Sequence, residues 1–191
     1  MTRLSIRTVV IVALLLGAAL WAYLLDHDSS SAHAPSRAAL VPAGPIGPAD
    51  GAIPDDAPLA VTSTAPALRR LDPALRTALR RAARDAARDG IALRVTSGWR
   101  SARYQRLLLQ RAIATYGSRQ AARRYVSTPK QSAHVRGAAV DIGPTDADDW
   151  LIRHGTRYGL CQIYANEIWH FELRTRPGGT CPALLPDASE G

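Results

Sequence analysis

The chain is poor in several residue types. Its 191 residues include only two cysteines and one lysine, and no segment is repeated. Two cysteines allow at most one disulfide, and the lack of a repeat excludes solenoid architectures. The hydrophobic fraction of 47% is enough for a core, and the length suits one domain with attachments.

Long apolar runs are also scarce, and only one is long enough to cross a bilayer. Residues 8–25 form an uncharged stretch of 18 residues, with two arginines before it and two aspartates after it. This charge asymmetry predicts that the rest of the chain lies outside the cytoplasm. We expect an uncleaved, single-pass membrane anchor at residues 1–25. A cleaved signal peptide is the alternative, but Pro35 makes the best small-residue site a poor one.

Residues 26–66 are expected to be a Pro/Ala-rich linker. Seven of the 13 prolines lie between Pro35 and Pro66, and no apolar periodicity accompanies them. Such a composition favours an extended, poorly ordered segment that holds a domain away from the membrane. The folded domain is therefore predicted to occupy residues 67–191.

The pattern of residues 67–191 predicts an α+β domain. Asp72 followed by Pro73 is typical of a helix start, and apolar residues at helical spacing continue until Gly90. Alternation over 91–96 predicts a strand. Further helices are expected near 101–116, 118–125 and 147–158, and further strands at 139–142 and beyond 158. We expect a small, mostly antiparallel sheet with helices packed on it.

Two short segments contain a candidate metal site. Residues 132–141 include His134 and Asp141, and residues 167–170 follow about thirty positions later. Two imidazoles and one carboxylate can hold zinc and leave one tetrahedral position open for water. A second carboxylate, Glu167, can accept a proton from that water. Structural histidines and surface acids are the alternative interpretation.

The spacing of these residues limits how the chain can place them. His134 and Asp141 are seven positions apart, so one continuous strand would point them to opposite faces. Gly137 allows a turn or bulge between them. Glu167 and His170 would share a face on a helix, but their apolar and aromatic neighbours favour a loop that enters a strand carrying His170.

The same segments resemble a known family. A Ser-x-His-x-x-Gly-x-Ala-x-Asp run and a Glu-x-Trp-His run are typical of the zinc D-alanyl-D-alanine carboxypeptidases and dipeptidases of the vancomycin-resistance, VanY-like type. Both are intact here. The family's Ser-Gly-Tyr-Arg-Ser element occurs at residues 97–101 with Trp99 in place of tyrosine. A weaker element occurs at residues 150–151 and 158–160. The resemblance covers about residues 67–176.

The resemblance implies a catalytic site with one zinc ion. Three residues would bind the ion: His134, Asp141 and His170. Glu167 would be the catalytic base. Arg100 would hold or polarise the substrate, and Ser132 would lie in the substrate pocket. We also expect Trp169 to form a wall of that pocket.

The resemblance further implies a zinc D,D-carboxypeptidase that trims peptidoglycan stem peptides outside the cytoplasmic membrane. An endopeptidase or an L,D-carboxypeptidase could use the same site. A non-catalytic wall-binding module and a cytoplasmic dipeptidase are two further alternatives. An intact Glu167 disfavours the module, because structural zinc usually has four protein ligands and needs no base. The predicted anchor disfavours the cytoplasmic enzyme.

Cys161 and Cys181 flank the segment at residues 167–170. Outside the cytoplasm an even pair of cysteines favours a disulfide, which would tie the C-terminal tail to the region of the site. Zinc ligation by cysteine is the alternative, but the three ligands above already complete a site.

Charge is uneven along the domain. Residues 67–130 carry 15 arginines and one lysine against three aspartates, a net +13, whereas residues 131–191 carry a net −3. This predicts an anionic partner. The predicted location outside the cytoplasm favours a cell-wall polymer or lipid headgroups and argues against nucleic acid. Solvated helix surfaces are an equally good explanation. The acidic cluster of Asp146, Asp148 and Asp149 is predicted to cap a helix and form its first turn.

Overall fold

The computed structural model describes residues 44–191. The predicted anchor at residues 1–25 and the predicted linker residues 26–43 lie outside this part of the chain. Among the residues described, no helix combines the length and the apolar character needed to span a membrane.

A five-stranded antiparallel sheet organises the domain, which confirms the predicted fold class. The strands are β1 (Leu59–Ala60), β2 (Arg94–Ser97), β3 (Ala139–Gly143), β4 (Leu160–Gln162) and β5 (His170–Leu173). Their spatial order is β1-β2-β3-β5-β4, and each neighbouring pair is antiparallel. Strand β3 is central and buried along its whole length. Strands β2 and β5 therefore hold the backbone of Asp141 from both sides.

Within residues 44–191, five α-helices accompany the sheet: α1 (Pro66–Arg69), α2 (Pro73–Arg88), α3 (Ala102–Tyr116), α4 (Arg119–Arg123) and α5 (Thr145–His154). Two of them begin where the sequence predicts. Asp72 accepts hydrogen bonds from two amides in the first turn of α2, and Ser101 accepts one from the first turn of α3. Gly117 ends α3 in the left-handed conformation.

Two boundaries differ from the predictions. The strand expected over 91–96 begins only at Arg94, because β1 and β3 pair with it from that residue onward. The helix expected to reach residue 158 ends at His154. Residues Gly155–Tyr158 tighten into a 3₁₀ turn before β4 begins at Leu160. Two aspartates of the acidic cluster, Asp146 and Asp148, occupy the first turn of α5, as predicted. The prediction that an aspartate caps this helix is wrong, because the N-cap residue is Pro144, which makes no side-chain capping hydrogen bond.

The main core lies between one face of the sheet and the helices α1, α2 and α5. Its fully buried side chains include Leu68, Leu75, Leu79, Ile142, Leu151 and Phe171. Successive strand residues point to opposite faces. Val140 and Ile142 of β3 therefore enter this core, and the residue between them points to the other face of the sheet.

Residues 45–66 belong to the domain, so the prediction of a linker up to residue 66 is wrong for this part. They fall in the same compact unit as the rest of the domain. Strand β1 pairs with β2, Val61 joins the core, and Asp50 accepts hydrogen bonds from the side chains of Ser101 and Arg103. These contacts join positions far apart in the chain, so local composition does not reveal them.

The predicted disulfide between Cys161 and Cys181 is present. It joins β4 to the C-terminal segment and closes a loop with a sequence separation of 20. Loop closure of this length is worth about 3 kcal/mol in the chain-entropy treatment.

We expect the double variant Cys161→Ser/Cys181→Ser to lose about 3 kcal/mol of unfolding free energy in urea. Reductant should lower the wild-type midpoint to that of the variant, and equal midpoints under oxidising conditions would contradict the prediction.

Candidate metal centre

The candidate site lies on the sheet face opposite the core. Asp141 of β3 and His170 of β5 are direct partners in the strand pairing. His134 comes from the turn before β3. Gly137 reverses the chain there with a φ of +72°, and a Cβ at this position would meet the carbonyl oxygen of Arg70 at 2.4 Å. Only glycine satisfies both conditions, so the turn predicted at Gly137 brings His134 back to Asp141.

Three candidate ligand atoms converge on one point. His134 Nε2 lies 3.2 Å from His170 Nδ1. Asp141 Oδ1 lies 3.3 Å from the first nitrogen and 3.1 Å from the second. Tetrahedral zinc with bonds of about 2.0–2.1 Å would separate its ligand atoms by about 3.3 Å. The donor types, their spacing and their burial therefore fit a zinc ion.

Hydrogen bonds hold the outer nitrogen of each imidazole. His134 Nδ1 lies 2.8 Å from the carbonyl oxygen of Gly98, and His170 Nε2 lies 3.3 Å from Glu172 Oε1. Glu172 is held in turn by Arg174 at 3.1 Å. Donation by the outer nitrogens directs the lone pairs of the inner nitrogens at the common point.

The electrostatics of the three residues favour a cation. Burial and Arg100 lower the pKa of His134 to about 4, so this imidazole is neutral near pH 7. Burial opposes ionisation of Asp141, but His134 and His170 hold its pKa well below the usual range. Burial also opposes protonation of His170, yet Asp141 and Glu172 raise its pKa to about 9. A divalent cation would replace the proton that His170 carries near pH 7.

Glu167 lies beside the three ligand residues, in the loop before β5. Its Oε2 is 3.8 Å from His170 Nδ1, and its side chain is buried. Burial raises the pKa of Glu167 to about 7 despite the attraction of His170. A carboxyl group that titrates near neutrality can both accept and return a proton.

Arg100 is anchored by three side chains. Its guanidinium group lies 3.0 Å from Asp141 Oδ2, 2.8 Å from Ser97 Oγ and 3.1 Å from Gln105 Oε1. Asp141 thus directs one oxygen to the ligand point and the other to Arg100. Gln105, which was not predicted from the sequence, is buried in α3 and also bonds to the carbonyl of Ser127. A glutamine within a helical pattern gives no signal of such burial.

A small cavity of about 30 Å³ borders the ligand point. Five predicted site residues line it: Arg100, Ser132, His134, Glu167 and His170. Tyr164 and Ala188 also line it, although the sequence did not single them out. The ring centroids of Tyr164 and His170 are 5.0 Å apart. The cavity thus brings together the carboxyl group of Glu167, the guanidinium group of Arg100 and the hydroxyl group of Ser132.

Comparison with known proteins identifies the family. The sequence model of the VanY family, described as D-alanyl-D-alanine carboxypeptidase, matches residues 68–174. The chain belongs to the VanY carboxypeptidase family. The match includes the three candidate ligands and Glu167. No curated protein sequence matches this VanY-family chain.

Solved structures share the fold of this VanY-family domain at low sequence identity. One is a glutamate-to-alanine mutant of the D,D-pentapeptidase VanY from a VanB-type resistance cassette, solved in complex with Zn(II). It has a TM-score of 0.53 and 23% sequence identity, and the alignment covers 67% of this chain and 86% of that one. VanYB in complex with D-alanine-D-alanine has a TM-score of 0.51 and 24% identity, with 53% and 70% covered. The LD-carboxypeptidase LdcB has a TM-score of 0.51 and 23% identity, with 66% and 69% covered.

Trp169 does not line the small cavity of this VanY-family domain. Its side chain is 43% exposed and borders a separate groove together with Thr96, Asp141 and Asp148. As the chain neighbour of His170, Trp169 directs its side chain to a different side. Contact between Trp169 and a substrate therefore stays a prediction, and any such contact would be made in that groove.

Glu172 is a further residue of the VanY-family site that the sequence analysis missed. It lies two positions after His170 on β5, and strand alternation places both on the same face. This spacing is the signal that could have found it. Residue 172 combines burial with hydrogen bonds to a candidate ligand and to an arginine, which is typical of a residue that orients a metal ligand.

We expect Glu172→Ala to weaken zinc affinity by about 10- to 100-fold, because His170 loses the acceptor that orients its ring. Competition with a chromophoric chelator measures this affinity. Glu172→Gln keeps an acceptor and should lose less than the alanine variant. The exposed Glu190→Ala serves as the matched control. Equal affinities for the Glu172 and Glu190 variants would show that Glu172 does not support the site.

Proposed function

We propose that this protein is a zinc-dependent D,D-carboxypeptidase that removes the terminal D-Ala of peptidoglycan stem peptides outside the cytoplasmic membrane. The observation that carries this proposal is the convergence of two imidazole nitrogens and one carboxylate oxygen beside the buried Glu167. Membership of the VanY family supports the peptidase class. The relatives solved with Zn(II) and with D-alanine-D-alanine support the choice of metal and substrate.

One zinc ion would be held by His134, Asp141 and His170. Zinc in this position would supply a Lewis acid that polarises the scissile carbonyl and acidifies the attacking water. Both cysteines of the chain are joined in the disulfide, so neither competes for the ion. The remaining steps depend on side chains of the chain itself.

Glu167 is the proposed general base. Its carboxylate accepts the proton of the attacking water and returns it to the leaving amine. Burial raises the pKa of this group to about 7, close to the pH at which both transfers must occur.

Arg100 and Ser132 are the proposed substrate contacts. The Arg100 guanidinium group is fixed by Ser97, Gln105 and Asp141, and its two other N–H donors lie at a defined place for an oxyanion or a carboxylate. Ser132 Oγ accepts a long hydrogen bond of 3.4 Å from the amide of Val135. Its own proton can therefore be donated to the substrate's terminal carboxylate.

An L,D-carboxypeptidase is the second candidate. The likeness to LdcB, which is described as an LD-carboxypeptidase, is as high as that to VanYB. The chemistry would be the same, and the residue before the scissile bond would differ, with the L configuration in place of D. A purely wall-binding module is disfavoured because Glu167 and its cavity would have no use there.

We propose that the domain acts outside the cytoplasmic membrane. The disulfide is typical of an oxidising compartment. The apolar run at residues 8–25, with arginines before it, supports a single-pass anchor. Association of the basic residues 67–130 with an anionic cell-wall polymer stays a prediction.

Incubation of the full chain with stem peptides tests the proposal. A pentapeptide ending in D-Ala-D-Ala and the corresponding tetrapeptide are supplied with zinc or with chelator, and mass spectrometry identifies the products. We expect zinc-dependent loss of one D-Ala from the pentapeptide. Loss from the tetrapeptide instead would indicate the L,D-enzyme, and internal cleavage an endopeptidase. No cleavage by a folded, zinc-loaded chain would refute an enzymatic role.

A further inference from the structure

The C-terminal strap, defined here as residues 181–191, lies beyond the family match at residues 68–174. It nevertheless reaches the site. Ala188 lines the small cavity beside the candidate ligands and is 5% exposed. Among the cavity-lining residues in the described part of the chain, Ala188 is the one contributed from beyond residue 174.

The first half of the strap is fastened to the sheet region. The disulfide joins Cys181 to Cys161 of β4. Four residues later, the Leu185 amide donates to the Ile163 carbonyl at 2.9 Å, and the Leu185 carbonyl accepts from the Ala165 amide at 2.8 Å. The strap therefore runs beside the segment that leads to Glu167.

The second half of the strap is fastened to the segment after α4. The Asp187 carboxylate pairs with Arg124 at 2.9 Å. The Ala188 amide donates to the Arg124 carbonyl at 3.3 Å, and the Ala188 carbonyl accepts from Ser127 Oγ at 3.3 Å. Both main-chain groups of Ala188 are thus engaged, and its side chain packs in a buried cluster with Ile163 and Tyr164, so the residue is a fixed part of the cavity wall.

The size of the cavity limits the size of the substrate side chain that can enter it. About 30 Å³ is room for roughly one or two water-sized groups. The attacking water takes one of these places, which leaves room for a methyl group and none for a longer side chain. One methylene more or less in an apolar pocket typically changes kcat/KM by about 10- to 200-fold.

We propose that Ala188 is a specificity-determining residue, which the C-terminal strap holds in place so that the terminal residue of the substrate must carry a side chain no larger than a methyl group. This inference rests on the proposed carboxypeptidase function and adds a size limit to it. It assigns that limit to a segment that the family match does not include.

Two substitutions at residue 188 and one control test the inference in the full, zinc-loaded chain. Ala188→Val fills the cavity, Ala188→Gly enlarges it, and Ala183→Val adds the same bulk at an exposed position of the strap. The substrates are stem pentapeptides that end in Gly, D-Ala or D-2-aminobutyrate. Zinc content and thermal midpoint are measured for every variant.

We expect Ala188→Val to lower the kcat/KM ratio of D-Ala to Gly substrates by at least about tenfold. Ala188→Gly should raise the ratio of D-2-aminobutyrate to D-Ala substrates by at least about tenfold. Ala183→Val should leave both ratios unchanged. If Ala188→Val fails to fold, Ala188→Gly tests the inference by itself. This variant removes bulk, so it should favour the larger substrate, D-2-aminobutyrate, over D-Ala.

Ratios that move by less than about threefold in both folded Ala188 variants would overturn the inference. If the wild-type chain cleaves no substrate, the proposed function fails. Calorimetric affinities for D-Ala-D-Ala and D-Ala-Gly then test the wall separately. A wild-type preference that Ala188→Val removes would support the size limit without catalysis, and an unchanged preference would overturn it.

Discussion

Replacement of Glu167 by alanine is expected to lower kcat by roughly 10²–10⁴-fold while the chain keeps its zinc. Glu167 Oε2 lies 3.8 Å from the candidate ligand atom His170 Nδ1, which suits a proton acceptor beside the ligands better than a fourth ligand. Turnover of the stem pentapeptide gives kcat, and elemental analysis gives zinc per chain.

Two variants control this experiment. Glu167→Gln keeps the volume of the side chain but cannot accept a proton, so it should be as inactive as the alanine variant. Glu190→Ala removes an exposed carboxylate and should keep full activity. Loss of zinc together with activity in both Glu167 variants would show that Glu167 is a ligand and not the base.

Replacement of His170 by alanine is expected to remove both zinc and turnover. Two ligand atoms would remain, His134 Nε2 and Asp141 Oδ1, and three protein ligands are the usual number for a catalytic zinc site. Zinc per chain should fall from about one to near zero, and pentapeptide cleavage should fall below detection. Both quantities are measured after dialysis against a weak chelator.

Thermal unfolding provides an independent measurement of the same prediction. A ligand that binds only the folded state stabilises it by about 2.7 kcal/mol at a concentration of 100 Kd. Added zinc should therefore raise the melting temperature of the wild type and of His154→Ala, whose imidazole bonds to the Trp150 carbonyl outside the site. It should leave that of His170→Ala unchanged. A His170→Ala chain with full zinc and activity would contradict the ligand assignment.

The features that the sequence predicted well depend on short-range signals. The starts of α2 and α3 follow from Asp72 and Ser101, because a capping side chain bonds to amides only two or three residues away. The turn at Gly137 and the strand after it follow from spacing alone. The set of ligand residues was accessible because its members lie in two compact motifs that also carry the family resemblance.

The features that the sequence did not reveal depend on contacts between distant residues. Residues 45–66 have the composition of a linker, and only the pairing of β1 with β2 shows that they belong to the domain. A strand of two residues is too short to give a periodic pattern in the sequence. The orientation of His134 depends on the carbonyl of Gly98, 36 positions away. Ala188 reaches the cavity only because the disulfide and Asp187 guide the strap there. A local sequence pattern therefore does not predict that a residue near the C-terminus forms part of the cavity wall.

Strands β3 and β5 divide their residues between two tasks, since Val140 and Phe171 face the core while Asp141 and His170 face the metal centre. A slip of β5 by one residue against β3 would turn His170 into the core and leave only two of the three candidate ligands at the centre. Mispaired chains would thus be unable to take up the ion. Under the proposed zinc site, metal content would therefore grade a preparation of this protein for correct folding, before any substrate is added.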